Sequence, residues 1–339
     1  MMSYNLMIVL FLLFQKALTN LLNQKILRVI AIVTLACFGL CGCLLAQGET
    51  SSATTATSKT QIPLSLPGKG VTIYAAGDIA DCRKAAVANT GAAKTAAIIA
   101  AGLQNDHNAS VLTLGDNVYP IGLLAEFTDC YEPTWGQFKH RTYPSPGNHE
   151  YYTPAGGGYY DYFGAAAGEM RRGYYSFDLG KWHVVSINSN LKEPEHQAQL
   201  AWLKADLAKH PSRCSIAYWH HPLFSSGGHG NNPRMRDVWK VLQEAHADIV
   251  LVSHDHNYER FAPQDAEGNR DDAHGIREFV VGTGGARLSP LLINKAHSEI
   301  ADNSTHGVLR MTLKDAGYEW EFIPVAGGKF TDRGVGLCH

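Results

Sequence analysis

Two short apolar runs in this chain, residues 71–76 and 111–114, each stop directly on Gly-Asp, at Gly77-Asp78 and Gly115-Asp116. Runs of this length read as buried strands, and a glycine before the carboxylate leaves the backbone free to turn at the strand tip. Three later blocks place other donor types in similar settings: Pro146-Gly147-Asn148-His149-Glu150, Ala217-Tyr218-Trp219-His220-His221-Pro222, and Val252-Ser253-His254-Asp255-His256. The second Gly-Asp block adds a phenol three residues on, Tyr119. Any one block is an ordinary turn or an unremarkable histidine. Together they make Asp78, Asp116, Tyr119, Asn148, His220, His254 and His256 candidate ligands of one metal site. Alternate residues of an extended segment point to opposite sides, so His254 and His256 can each serve a different ion. Such a set can hold two ions about 3.5–4 Å apart, the spacing of two-metal hydrolases. Tyr119 bears on which metal, because a phenolate is an uncommon ligand for zinc or magnesium and a good one for ferric iron.

Further strands are expected at 174–179, 183–188, 215–219, 249–253, 278–281, 308–313 and 318–323. Helices are expected at 92–103, which is Ala-rich, at 195–209, with Leu200, Leu203 and Leu207 on one face, and at 233–245. The last has Asn232 as cap, Pro233 in its first position, and a stripe of Met235, Val238, Trp239 and Leu242. Strand–helix alternation followed by consecutive strands implies an α/β fold with an antiparallel part. The ligand blocks follow strands or lie in loops, where such a sheet places its site. The Gly- and Tyr-rich stretch 151–175 is expected to be a loop near the site mouth.

At 339 residues, with 45% hydrophobic and 18% charged residues, the chain has ample core for a folded domain. A formal charge of −2 and the lack of a Lys/Arg cluster disfavour nucleic acid as a partner. Residues 1–48 read as an export signal or membrane anchor: Lys25 and Arg28 precede an apolar run, 29–46. Leu40-Cys41-Gly42-Cys43 resembles a bacterial lipobox, which would put a lipid on Cys43 and attach the protein to a membrane. Soluble export and a retained anchor are the alternatives. Residues 49–66 are Ser/Thr-rich and read as a flexible tether, leaving 67–339 as one catalytic domain. The expected location is a bacterial-type periplasm, cell surface or exterior. Beyond the signal four cysteines remain, without CxxC spacing, and the favoured pairing is Cys82–Cys130 with Cys214–Cys338. Four buried thiols are the alternative.

The set GDIAD, GDNVY, GNHEY, YWHHP and SHDHNYER resembles the purple acid phosphatase branch of the calcineurin-like metallophosphoesterases, over about residues 70–325. The family pattern is GD-x-G, GD-x-x-Y, GNH-(D/E), V-x-x-H and GH-x-H; Ala80, Ala217 and Ser253 depart from it beside ligands. The resemblance implies two mixed β-sheets packed as a sandwich flanked by helices (α/β/β/α), with a dinuclear site at the strand C-terminal ends. It implies that Asp78, Tyr119 and His256 bind Fe(3+), that Asn148, His220 and His254 bind a divalent zinc, iron or manganese, and that Asp116 bridges them. His220 rather than His221 takes the ligand role because it stands two before Pro222; His221 would orient a neighbour. His149 and His229 would bind phosphate and protonate the leaving group. The expected reaction is hydrolysis of a small phosphate monoester by hydroxide generated at the metals, with an acidic to neutral optimum. A phosphodiesterase or nucleotidase with two divalent ions is the first alternative. A non-catalytic phosphate- or metal-binding surface protein is the second.

Overall fold

The computed structural model describes residues 65–212 and 214–339; the expected signal and nearly all of the tether lie outside the described residues. Ser65 and Leu66, at the tether's end, both donate to the Glu319 carboxylate (2.9 and 2.7 Å). No helix among the described residues is long and apolar enough to cross a membrane.

The chain opens with β1 (Val71–Ala76), α1 (Gly91–Asn105), β2 (Ser110–Leu114) and β3 (Thr142–Ser145). β1, β2 and β3 pair in parallel, each return being made by a connection long enough for a crossover. α1 begins one residue before the expected Ala92, and Thr90 caps it, its hydroxyl accepting from the Ala93 amide at 3.1 Å. The stretch 151–175 is not an open loop. It folds into short helical turns and α2 (Gly157–Phe163), which buries Tyr159, Tyr160, Tyr162 and Phe163. Aromatic rings bury enough apolar surface to order a segment that glycine alone would leave loose.

A second series follows: the hairpin β4 (Tyr175–Leu179) and β5 (Trp182–Ser186), then α3 (Glu195–Lys209), β6 (Cys214–Tyr218), α4 (Arg236–Glu244), β7 (Ile249–Val252), β8 (Tyr258–Phe261), β9 (Arg277–Val281) and β10 (Ser298–Asp302). The chain ends in the meander β11 (Gly307–Lys314), β12 (Gly317–Pro324) and β13 (Arg333–Leu337). Two mixed sheets result, ordered β13-β12-β11-β1-β2-β3 and β10-β8-β9-β7-β6-β5-β4. In the second sheet β5, β6, β7 and β9 run parallel.

The two-residue period of the strands sorts their side chains into two cores. Ile216, Tyr218, Ile249 and Leu251 face inward and pack with Ile73, Val111 and Leu309 of the other sheet, so the sheets form a sandwich. Ala217, Trp219, Val250 and Val252 face outward onto Leu203, Leu207, Val238 and Trp239 of α3 and α4. Burial on both faces is why β7 reads Ile-Val-Leu-Val with no polar alternation. On the first sheet α1 lies against β11. The expected α/β architecture is therefore present, with β3, β8, β10 and β13 as strands the sequence reading did not place.

Both expected disulfides form, Cys82–Cys130 and Cys214–Cys338, closing loops of 48 and 124 residues. In the chain-entropy treatment loops of this size stabilise by about 4 and 5 kcal/mol respectively. Cys338→Ser should thus lower the free energy of unfolding by roughly 3–5 kcal/mol, read from denaturant midpoints without reductant. An unchanged midpoint would show that the C-terminal staple contributes nothing.

Candidate metal centre

The parallel strands of both sheets end on the same side, and their loops meet there. Asp78 follows β1, Asp116 follows β2, Asn148 follows β3, His220 follows β6 and His254 follows β7. The first two loops prolong the parallel pairing beyond their strands: Asp78 N–H donates to Gly115 O, Ile79 N–H to Asp116 O, and Tyr119 N–H back to Ala80 O. Ala80, which departs from the family glycine, is fully buried within this pairing. Asp78, Asp116 and His254 all take left-handed backbone angles, with φ of 56°, 46° and 70°. Such angles cost non-glycine residues energy and persist where surrounding contacts over-determine them, commonly at functional sites.

Here the over-determination is visible. Each aspartate gives one oxygen to the backbone of another ligand loop: Asp78 Oδ2 accepts from His254 N–H (2.9 Å), and Asp116 Oδ1 from His149 N–H (2.8 Å). Close approach also requires glycine. A Cβ on Gly147 would lie 2.1 Å from Asp116 Oδ1, and one on Gly282 would lie 2.6 Å from Asp78 Oδ2.

The remaining oxygens and ring nitrogens face a common centre. The Tyr119 hydroxyl lies 2.9 Å from Asp78 Oδ1, 3.3 Å from Asp116 Oδ2 and 3.2 Å from His256 Nε2. His220 Nε2 lies 2.9 Å from Asn148 Oδ1, 3.1 Å from His254 Nδ1 and 3.3 Å from Asp116 Oδ2. Asp116 Oδ2 belongs to both groups. The structure thus brings together all seven ligand candidates, in two clusters sharing one carboxylate. Donor separations near 3 Å are those of atoms seated about 2.1 Å from one ion.

The donor set also fits a cation on chemical grounds. His220 Nδ1 lies 3.0 Å from the Leu114 carbonyl and His256 Nδ1 lies 2.7 Å from the Arg287 carbonyl; a carbonyl only accepts, so both Nδ1 atoms carry hydrogen. With Nδ1 so occupied, each ring turns its Nε2 to the oxygens of the centre, where it carries a proton in the absence of metal and would offer a lone pair to an ion. Asp78, Asp116, Tyr119 and His220 are buried, whereas Asn148, His254 and His256 are half-buried, so the centre opens to solvent on their side.

The electrostatics follow from burial and crowding. Burial disfavours the charged form of His220, but Asp116 outweighs it and holds the ring's pKa up at about 9. His256 rises likewise to about 9, burial being overcome by Asp78. His254 and His221 fall to about 2 through burial and the positive His220 beside them. Tyr119 is pushed well above the usual phenol range by burial and by Asp78 and Asp116.

The other predicted residues lie around this centre. His149 donates from Nδ1 to Pro120 O (2.6 Å), which turns its Nε2 to within 3.8 Å of Asp116 Oδ2. His221 is buried, bonded to Ser189 Oγ at 2.8 Å, with its ring against His220 and His254. His229 is exposed and lies over His254, ring centroids 4.2 Å apart.

Sequence reasoning missed the carboxylates that hold these loops. Glu150 accepts from the amides of Gly147, Asn117 and Val118, tying the second ligand loop to the third; burial, then Asp116, raises its pKa to about 8. Asp255 accepts from the His229 and Gly230 amides and the Ser225 hydroxyl, and Glu259 from Ser226, so the 222–231 loop is pinned from the block bearing His254. Asp255 and Glu259, both within the block SHDHNYER, are fully buried, although nothing in the sequence sets them apart from surface charges.

Because His220 and His256 hold a second proton at neutral pH and a metal needs their bare Nε2, metal and proton compete there. Loading the metal-free protein at pH 7 should release about two protons from these rings, measurable by pH-stat, and retention should weaken as pH falls. Loading without proton release would contradict these protonation states.

The family profile described as calcineurin-like phosphoesterase matches residues 71–258. Purple acid phosphatase 21 of Arabidopsis thaliana is 31% identical over 159 residues, covering 43% of this chain and 36% of the relative. The matched stretch thus spans about a third of that relative's length. Among solved structures, purple acid phosphatase PPD1 from yellow lupin (Lupinus luteus) seeds superposes with a TM-score of 0.61 at 22% identity, covering 79% of this chain and 54% of that one. GAP50 of Plasmodium, described as the anchor in the inner membrane complex, superposes with a TM-score of 0.62 at 16% identity, covering 80% and 90%. At these identities the two structures speak for the fold. With the profile spanning more than half of its length, the chain belongs to the calcineurin-like phosphoesterase family, and within that family it is similar to purple acid phosphatases.

Proposed function

We propose that this protein hydrolyses phosphate monoesters at a dinuclear centre, with Asp78, Tyr119 and His256 on a ferric ion, Asn148, His220 and His254 on a divalent zinc, iron or manganese, and Asp116 shared. The observation that carries the reading is the Tyr119 hydroxyl, within 3.3 Å of both aspartates and of His256. Burial among carboxylates opposes phenolate formation, so a strongly Lewis-acidic ion suits this seat. A diesterase with two divalent ions gives that phenol no comparable use. When bound, the ion pair would neutralise phosphate charge and acidify water.

The chain's own groups supply the rest. Asp78 and Asp116, held by the His254 and His149 amides, keep their orientation without rearrangement during turnover. His149, fixed through Nδ1, can hold a proton at Nε2 facing the centre, and His229 can hold one on the open side over His254. Either would donate to the departing alkoxide, the fragment that most needs a proton. An imidazolium acid is lost as pH rises, so activity should fall toward alkaline pH. The two disulfides suit an oxidising compartment, and we place the protein outside the cytoplasm on that ground.

Tyr119→Phe tests the metal assignment. The iron-loaded wild type should be purple or pink from ferric-phenolate absorption; the variant should lose that band while still binding one divalent equivalent. A colourless, iron-free wild type that cleaves diesters better than aryl phosphates would overturn the proposal. Activity that climbs steadily into the alkaline range would remove the histidine acid.

A further inference from the structure

Scattered exposed hydrophobic side chains are normal on a protein surface; their concentration in one place is informative. Among the described residues, the large exposed hydrophobics are Ile121, Leu123, Leu124, Tyr152, Leu292 and Ile293, with Leu337 on the last strand. All but Leu337 stand on two groups of loops, or walls, whose backbones are bonded to the ligand blocks.

The first wall is built on the His149 side. Ile121 follows Pro120, whose carbonyl holds His149 Nδ1. The turn that continues through Leu123 and Leu124 is fastened to the 150–158 segment: Thr153 Oγ1 donates to Gly122 O, and a Cβ on Gly158 would lie 2.6 Å from the Leu124 amide. Tyr152 stands in that segment, 60% exposed, its hydroxyl accepting from Asn148 Nδ2 at 3.1 Å and its ring edge-on to His149 at 4.9 Å. One side chain therefore touches a ligand candidate and the candidate acid while leaving its ring face to solvent.

The second wall is built on the loops beside His256 and His229. Ser289 N–H donates to His256 O, and Arg287 O accepts from His256 Nδ1. The same loop then reaches Ser226, where Leu292 N–H donates to Ser226 O at 3.0 Å and Lys295 N–H to Ser226 Oγ at 2.9 Å. Ser226 lies three residues before His229. Leu292 and Ile293, 63% and 67% exposed, are thus presented by a loop tied at both ends to the site. Hydrogen bonds hold the backbone of each wall, so the apolar side chains are displayed on ordered loops.

We infer that these walls receive an apolar leaving group, making the substrates phosphate monoesters of aromatic or long-chain alcohols. The inference rests on the phosphatase reading of the same site and adds to it the organic half of the ester. A phosphate placed against Asn148, His149 and His254 would direct its ester substituent out through the half-buried side of the centre, between Tyr152 and the Leu292–Ile293 loop. A small polar alcohol would leave both walls wet.

The experiment uses the full-length, metal-loaded protein. Hydrolysis of octyl phosphate is compared with that of ethyl phosphate, whose leaving alcohols are of closely similar acidity, and binding of octylphosphonate with that of methylphosphonate by calorimetry, for the wild type and for Leu292→Ser/Ile293→Ser. The wild type should favour the octyl ester at least tenfold in kcat/KM and bind the longer phosphonate at least tenfold tighter. The double variant should reduce both ratios about tenfold. Ratios near one, or ratios that the variant leaves unmoved, overturn the inference while leaving the phosphatase reading intact. Failure to cleave either ester, with the chain-length preference in binding retained and lost in the variant, would sink the phosphatase reading and support the apolar site. Vesicle association that depends on Leu292 and Ile293, without any phosphonate preference, would overturn it in favour of a membrane contact.

Discussion

Two carboxylates and a phenol are buried within about hydrogen-bonding distance of one another where the two sheets meet, and the surrounding structure is organised around that concentration of negative charge. Burial alone would drive Asp78 and Asp116 toward their neutral forms. They stay ionised because histidines face them and backbone amides from neighbouring loops bond their outer oxygens. The same amides dictate the chain's path. For the His254 amide to reach Asp78 and the His149 amide to reach Asp116, the strand-end turns must adopt left-handed angles, and Gly147 and Gly282 must lack side chains. The tolerance for strained backbone, the glycines and the burial are therefore consequences of one electrostatic demand.

That demand explains why the ligands were legible in the sequence. Donor-bearing residues directly after short apolar runs have few uses other than a site at strand tips, so Asp78, Asp116, His220 and His254 could be placed before any coordinates, while Asn148 was read from its Gly-Asn-His-Glu block and not from the strand before it. The supporting acids were not legible. Asp255, Glu259 and Glu278 look like surface charges in sequence, and only the tertiary fold turns them inward to accept from the 222–231 loop. Strand content shows the same divide. β7 is apolar on both faces and unmistakable, whereas β3 contains Pro144, β8 reads Tyr-Glu-Arg-Phe, and β10 and β13 are polar and glycine-bearing edge strands. The stretch 151–175 misled for a different reason: its glycines suggested a loop, while its tyrosines and Phe163 supplied the buried surface that orders it.

The three departures from the family pattern can now be weighed by what they touch. Ala80 and Ala217 add or remove only methyl groups in well-packed places, and both are fully buried without displacing a ligand. Ser253 is different. Its hydroxyl donates to Leu114 O at 2.6 Å and lies 3.0 Å from His220 Nδ1, while a Cβ on Gly77 would collide with it at 2.3 Å. A glycine there would leave the His220 Nδ1–H bonded to the Leu114 carbonyl alone. With serine, the end of β7 is bonded to the end of β2 and touches both the β1 turn and the ring of His220. The substitution thus lies in contact with three of the loops that form the centre, and it reinforces the hydrogen on Nδ1 that leaves Nε2 bare. A departure from the motif beside a ligand strengthens the geometry that the motif itself encodes.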